Sequence, residues 1–186
     1  MFVVVVLVCY LIGSILYVPG SVLLYWNTVE VIVLASTVFY IVASVFFLLG
    51  ALVDLFIRVT KSPRLLMPFV ITTLYIIGGI AFVVGSVLFL PNLKMPTPGY
   101  WFFRIGSTSY FAGSCLIITS MNPPRKSRNV LATVQYMAGG CLFVVGGIFS
   151  QIGSSSVIFA TIWVIGSLAF TGGASLALAN HCLESY

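Results

Sequence analysis

The side chains able to do chemistry are few in this chain of 186 residues: eight Lys or Arg, three Asp or Glu and one His. Haem ligation in a helical bundle asks for axial ligands such as paired histidines, and His181 stands alone in a stretch that reads as a solvated tail. Intramembrane proteolysis needs an Asp pair, a Ser–His dyad or a zinc motif, and none is spelled here. Ser14, Ser86, Ser107, Ser114 and Ser167 have no base near them in sequence, so they read as hydroxyls bonded to their own or a facing helix. Cys9, Cys115, Cys141 and Cys182 are scattered without a CxxC spacing, which favours free thiols over a metal or disulfide framework. Proton or ion translocation leaves ionisable groups deep in a bilayer. Arg104, Glu30 and Asp54 come closest, and each lies near a predicted span end. Glu30 closes the capping-box pattern Asn27-Thr28-Val29-Glu30, and Asp54 pairs with Arg58 four residues on in an exposed turn. No enzyme, metal or cofactor is expected.

The elements that carry these residues are apolar. Hydrophobic residues make up 61% and charged residues 6% of the chain, where a soluble domain carries roughly a quarter charged. Mean hydropathy is +1.20. Runs of this length cross a hydrocarbon core of about 30 Å, and the expected architecture is an all-α membrane protein, one domain over 1–186. Six spans are predicted, at about 2–18, 29–53, 66–90, 100–120, 130–150 and 157–179. Residues 20–28, with Tyr25 and Trp26, are expected along the interface after Pro19. Polar residues such as Thr72, Thr73, Thr108, Ser109 and Gln135 read as interhelical hydrogen-bonding groups. Met1-Phe2-Val3 opens directly into an apolar run, and no cleaved signal or transit peptide is expected.

Six of the eight basic residues fall in two connections: Arg58, Lys61 and Arg64, then Arg125, Lys126 and Arg128. The positive-inside bias then puts both termini on the cytoplasmic, matrix or stromal side. The net charge of +5 is not gathered on one continuous face, so nucleic acid is not an expected partner.

The chain also repeats itself. Residues 75–86 align without gaps on 136–147, with Tyr75, Gly78, Gly79, Phe82, Val83, Val84 and Gly85 matching Tyr136, Gly139, Gly140, Phe143, Val144, Val145 and Gly146. Gly13-Ser14 and Gly85-Ser86 are each followed by an aromatic residue and a proline. Ala43-Ser44, Gly106-Ser107 and Gly166-Ser167 occupy equivalent places in spans two, four and six. A second small pair follows seven residues later at Gly50-Ala51, Gly113-Ser114 and Gly173-Ala174, and Gly146-Gly147 follows Gly139-Gly140 in the same way. Seven residues is nearly two turns, so both pairs share a face and form a packing groove. That spacing suits left-handed crossings of about +20°. Three consecutive helical hairpins follow, as parallel repeats at about 2–54, 66–120 and 130–179.

The pattern Gly85–Pro91, a short loop and then Trp101-Phe102-Phe103-Arg104-Ile105-Gly106-Ser107 resembles the YrhK-like small membrane domain, best over 75–120 and in degenerate form in the other two repeats. The resemblance implies a two-span hairpin with a Gly-Ser in each helix and no established activity. The expected role is a non-catalytic structural or accessory subunit of a larger membrane assembly, with other integral subunits and membrane lipid as partners. The competing reading is a small solute or ion transporter formed by the three hairpins. Trp101 with Arg104, and the two basic connections, are the candidates for binding anionic phospholipid headgroups. An energy-transducing membrane such as the mitochondrial inner membrane is the expected setting.

Overall fold

The computed structural model describes residues 2–61, 66–120 and 127–184, and there the chain is almost entirely helical. Six long helices follow one another: α1 (Phe2–Leu23), α2 (Glu30–Lys61), α3 (Leu66–Leu88), α4 (Pro96–Ser120), α5 (Ser127–Gln151) and α6 (Ser156–Glu184). Each packs on its neighbours in sequence, and α1 packs on α6, so the helices close a ring. Five are long and apolar enough to cross a membrane. The exception is α4, which carries Arg104 and the hydroxyls of Thr97, Ser107, Thr108, Ser109 and Ser114 within its 25 residues.

Several boundaries differ from those the sequence suggests, among them the end of α2, which runs past residue 53 to Lys61. The first helix does not stop before Pro19 but runs through it to Leu23. The extra turn puts Gly20 and Ser21 on the ring's interior, where Ser36 donates to the Gly20 carbonyl at 2.7 Å. Tyr25 does not face only a headgroup layer, since its hydroxyl lies 2.8 Å from Thr161 Oγ1 on α6. At the start of α2, Glu30 is the first helical residue, where it complements the helix dipole, whereas the capping box would place it two residues further in, at the third helical position. The stretch from Asn180 is helix, not tail, and the Asn180 amide donates to Asn129 Oδ1 at 2.9 Å. Ser62-Pro63, whose residue types suit an N-cap and a first helical position ahead of the third span, lies outside the described residues.

What fills the ring follows from geometry. Helices pack at about 8–10 Å, and in a ring of six the centre is as far from each axis as the neighbours are. Subtracting the roughly 2.3 Å backbone radius leaves about 6–8 Å for one side chain, a gap that an aromatic ring spans. Aromatic residues recur every seven positions on all six helices and meet on the axis. Tyr17, Phe82 and Phe143 form one triangle, with ring centroids 5.5–6.5 Å apart. Tyr40, Phe103 and Trp163 form the next, at 5.4–5.8 Å. Phe47, Tyr110 and Phe170 lie on the other side, at 5.3–6.3 Å. Beyond them Tyr10 meets Tyr75 at 6.3 Å and Tyr136 at 6.4 Å. The layers draw alternately on α1, α3, α5 and on α2, α4, α6. Because Tyr10 meets Phe47 while Tyr17 meets Tyr40, successive helices run in opposite directions.

Candidate functional site

The small pairs and the aromatic residues are two halves of one device. A Cβ built on Gly106 would lie 2.7 Å from the Phe82 ring, and one on Gly85 would lie 2.7 Å from Phe103. The same reciprocal seating holds in the other helix pairs. Gly13 lies under Phe47, Gly50 under Tyr10 and Gly20 under Tyr40; Gly78 lies under Tyr110 and Gly113 under Tyr75; Gly139, Gly146, Gly166 and Gly173 lie under Phe170, Trp163, Phe143 and Tyr136. The glycines are therefore sockets for rings, not only a smooth face for backbone contact.

The second member of a pair looks across to the next helix. At Gly79 a Cβ would lie 2.9 Å from the Leu48 Cα, a close backbone approach of α3 to α2. Gly140 meets the Ser107 carbonyl and Phe111 of α4, and Gly147 faces Arg104. Where the second member is serine it bonds: Ser44 to Ser86 at 3.1 Å and Ser21 to Ser167 at 3.0 Å. Ala43 is fully buried, beside Ser44, which lies 2.8 Å from the Tyr17 hydroxyl. Ser14 and Ser107 bond back to their own helices at Leu11 and Phe103.

The column is closed at one end and hollow at the other. At the loop end Phe89 and Tyr100 cover it, with ring centroids 4.9 Å apart, over a pocket of about 150 Å³. At the end where the described chain starts and finishes, a chamber of about 310 Å³ lies against Tyr10, Tyr75, Tyr110 and Tyr136. Leu7, Ile117, Ala132 and Ala177 give it apolar walls, and Asn129, Thr133, Asn180 and His181 add polar groups. His181 thus lines a chamber on a helix instead of sitting in a solvated tail. The hydroxyls of Tyr10, Tyr110 and Tyr136 are buried and find no hydrogen-bond partner among the described residues.

Two of the cations predicted to meet lipid, Arg58 and Arg104, lie among the described residues, on different helices. Arg104 donates from Nη2 to the Gly147 carbonyl at 3.2 Å and lies 4.8 Å over the Trp101 ring, beside an outward-facing groove that Leu74, Ile105, Ala112 and Val144 also line. Arg58 donates from Nε to Asp54 Oδ2 at 2.7 Å. Thr72 donates to the same oxygen at 2.6 Å, so Asp54 is tied to α3 and is not part of a free turn. Arg64, Arg125 and Lys126 lie outside the described residues, as do the side chains of Lys61 and Arg128. Among the described residues no three His, Cys, Asp or Glu side chains gather as a metal centre would require. Gln135, Ser109 and Thr73 lie on separate helices, the last two bonded to Ile105 and Phe69 of their own helices.

One comparison with known families is positive. Residues 68–120 match the family model of the YrhK-like protein. The YrhK-like segment takes in all of α4 and all but the first two residues of α3, that is, one helix pair with its reciprocal sockets at Gly78, Gly85, Gly106 and Gly113. No curated protein and no solved structure matches the chain.

The reading of the sequence missed the aromatic half of the device. Its signal is present in all six helices: an aromatic residue three places before each small pair, as in Tyr10-x-x-Gly13-Ser14 or Trp163-x-x-Gly166-Ser167. Counting small residues alone finds the sockets without the rings that fill them.

Proposed function

We propose that this protein is a non-catalytic, multi-pass membrane scaffold that serves as an accessory subunit of a larger membrane assembly. The observation that carries the reading is the filled axis. A conduit built from three hairpins would run where the Tyr17–Phe82–Phe143 and Tyr40–Phe103–Trp163 triangles stand, and such packing favours a rigid body over a gated path. The less apolar α4 suits a protein neighbour on its outer face better than bulk lipid acyl chains, with Trp101 and Thr108 exposed there. The three helix pairs are read as three copies of one YrhK-like unit, all six helices crossing, both termini on the positively charged side. Anionic phospholipid is the proposed occupant of the groove beside Arg104 and Trp101.

Mild-detergent native electrophoresis of source membranes, with mass spectrometry of the band, tests the subunit reading. Co-migration with other integral proteins is the expected result, and migration as a lone small oligomer would overturn it. The transporter alternative predicts solute flux into liposomes holding the purified protein alone, and the filled axis predicts none.

A further inference from the structure

Three seams join the successive helix pairs into the ring, and the heptad makes them equivalent. Gly20-Ser21, Gly85-Ser86 and Gly146-Gly147 each come three residues after a member of the Tyr17–Phe82–Phe143 triangle. The pairs Ala43-Ser44, Gly106-Ser107 and Gly166-Ser167 follow Tyr40, Phe103 and Trp163 in the same way. Across the α2–α3 seam Ser44 bonds Ser86, and across the α6–α1 seam Ser167 bonds Ser21. The α4–α5 seam has Gly147 in place of the second serine, and Ser107 donates to the Phe103 carbonyl of its own helix. The polar contact across that seam comes from Arg104, through the Gly147 carbonyl. Arg104 stands three residues before Ser107, where the other two seams carry Ile41 and Val164. A cation has taken a place that is apolar in both its equivalents.

Among the described residues no carboxylate meets this charge; the ion pair there is that of Arg58 with Asp54. Of the guanidinium nitrogens, Nε is sealed without a partner, whereas Nη1 has no partner among the described residues and is not sealed. The donors left over are therefore at the open end of the side chain, on the groove that Arg104 lines. A cation beside apolar helices costs free energy until an anion reaches it. The groove runs from Trp101 and Arg104 over Thr108 to Ala112, whose equivalent in α2 is the larger Leu49, and Leu74 of α3 and Val144 of α5 border it. From Arg104 to Ala112 is about 12 Å at about 1.5 Å per residue, most of the roughly 15 Å in half a hydrocarbon core. At about 470 Å³ the groove is far too large for a lone phosphate, beside roughly 30 Å³ for a water.

We propose that one anionic phospholipid closes the α4–α5 seam from the leaflet at the loop end, its phosphate oxygens accepting from Arg104 and one acyl chain lying along the groove as far as Ala112. The inference rests on the reading of this groove as a site for anionic lipid, and adds the leaflet, the seat of the chain and a stoichiometry of one. The phosphate follows from the planar fork of the guanidinium, which matches phosphate oxygens bidentately. The chain follows from a slot that is charged at its rim and bordered by Leu74 and Val144 to the depth of one leaflet. A single chain fills that strip and leaves the rest of the α4 face to a protein neighbour.

The test titrates two lipids with the same chains, dioleoylphosphatidylglycerol and dioleoylphosphatidylcholine, into the delipidated full chain in detergent, and counts bound copies by native mass spectrometry. One phosphatidylglycerol is expected to bind with a Kd about tenfold or more below that of phosphatidylcholine, the size of one charge-assisted hydrogen bond. Glycerol phosphate, an anionic headgroup without chains, is expected not to displace it. Arg104→Gln is expected to erase the preference. Arg58→Gln, the same change of net charge at the other end of the bundle, is expected to keep it. Ala112→Phe, which blocks the inner end of the groove and keeps Arg104, is expected to lose the tightly bound copy. Equal binding of the two lipids, or binding of neither, would overturn the proposal. So would a preference that survives Arg104→Gln or vanishes in Arg58→Gln, or displacement by glycerol phosphate. A preference that Arg104→Gln erases and Ala112→Phe leaves intact would overturn the seated chain, and the reading of the groove as a site for anionic lipid would stand without it.

Discussion

The two ends of the aromatic column are built from the same heptad and behave oppositely. Towards the loops, the sockets that receive tyrosine end in serine, so Tyr17 and Tyr40 seat both ring and hydroxyl. Towards the termini the sockets under Tyr10, Tyr110 and Tyr136 end in alanine or glycine, Ser114 beside Tyr75 being the exception, and the column stops filling the ring. The difference teaches that the glycine decides whether a ring fits and its neighbour decides whether the ring's oxygen is matched. One position governs shape and the next governs polarity.

Overfilling a socket at the solid end has the largest expected effect. In Gly106→Val the new Cβ meets the Phe82 ring at 2.7 Å and the Gly78 carbonyl oxygen at 3.0 Å. A ring may turn, but the facing backbone may not, so the cost is expected at or above the usual 1–3 kcal/mol of overpacking. Yield of monodisperse protein and its thermal midpoint in detergent read this out, against Gly153→Asn as a control. Gly153 sits at φ 75° in a turn with nothing within 4 Å of a new Cβ, a conformation that asparagine tolerates.

Emptying the column should separate the ends next. Phe143→Ala removes a ring that is 1% exposed and touches Tyr17, Phe82, Phe103, Trp163 and Phe170. Such truncations cost about 3–5 kcal/mol in soluble cores. In lipid the transfer share shrinks and the lost contacts remain, so a value near the bottom of that range is expected. Tyr136→Ala, which adjoins the chamber, should cost less than Phe143→Ala in the same unfolding measurement. Equal losses would mean that the chamber is not the looser end.

Much of this plan is legible in the residues. Apolar run lengths specify six helices, and the Gly-Ser pairs at Gly13, Gly85, Gly106 and Gly166 specify faces seven residues apart. The closure of α1 on α6 is not legible, because the hydrogen bond that joins them comes from Ser21, which follows a proline and reads as lying beyond the helix. The chamber is not legible either. It arises where tyrosines from α1, α3, α4 and α5 meet, and no local window of sequence holds them together. Asp54 and Asn180 illustrate the same limit: each reads as a residue near a solvated end, and each is held by a partner on another helix, Thr72 or Asn129.

Hydroxyl deletions should differ between the ends in sign and not only in size. Ser21→Ala removes the partner of the Tyr40 hydroxyl, a residue 1% exposed, and leaves a buried phenol unmatched at a cost of about 1–3 kcal/mol. Tyr110→Phe removes a hydroxyl that has no partner among the described residues, and is expected to be neutral or slightly stabilising. Thermal midpoints of the two variants, measured side by side, check the contrast. Destabilisation by Tyr110→Phe would show that the phenol is matched after all, and the distinction between the ends would fall.

The smallest effect comes from Gly147, the one second-position glycine with room for a methyl group. A Cβ on Gly147 would meet nothing nearer than the Arg104 Cγ at 3.6 Å, an ordinary contact. Its neighbour Gly146 lies directly beneath the Trp163 indole, whose Nε1 donates to the Phe143 carbonyl at 3.1 Å. Gly147→Ala therefore keeps the ring in its socket and gains helix propensity, about 0.8–1.0 kcal/mol for Gly to Ala in an exposed helix. Less is expected here, because an apolar bilayer already holds both residues helical. A rise of the thermal midpoint, or none, is the expected result, with the Arg104–Gly147 hydrogen bond intact. A clear loss of stability would mean that α4 and α5 sit closer than the Arg104 stem allows, and that both members of the pair are sockets.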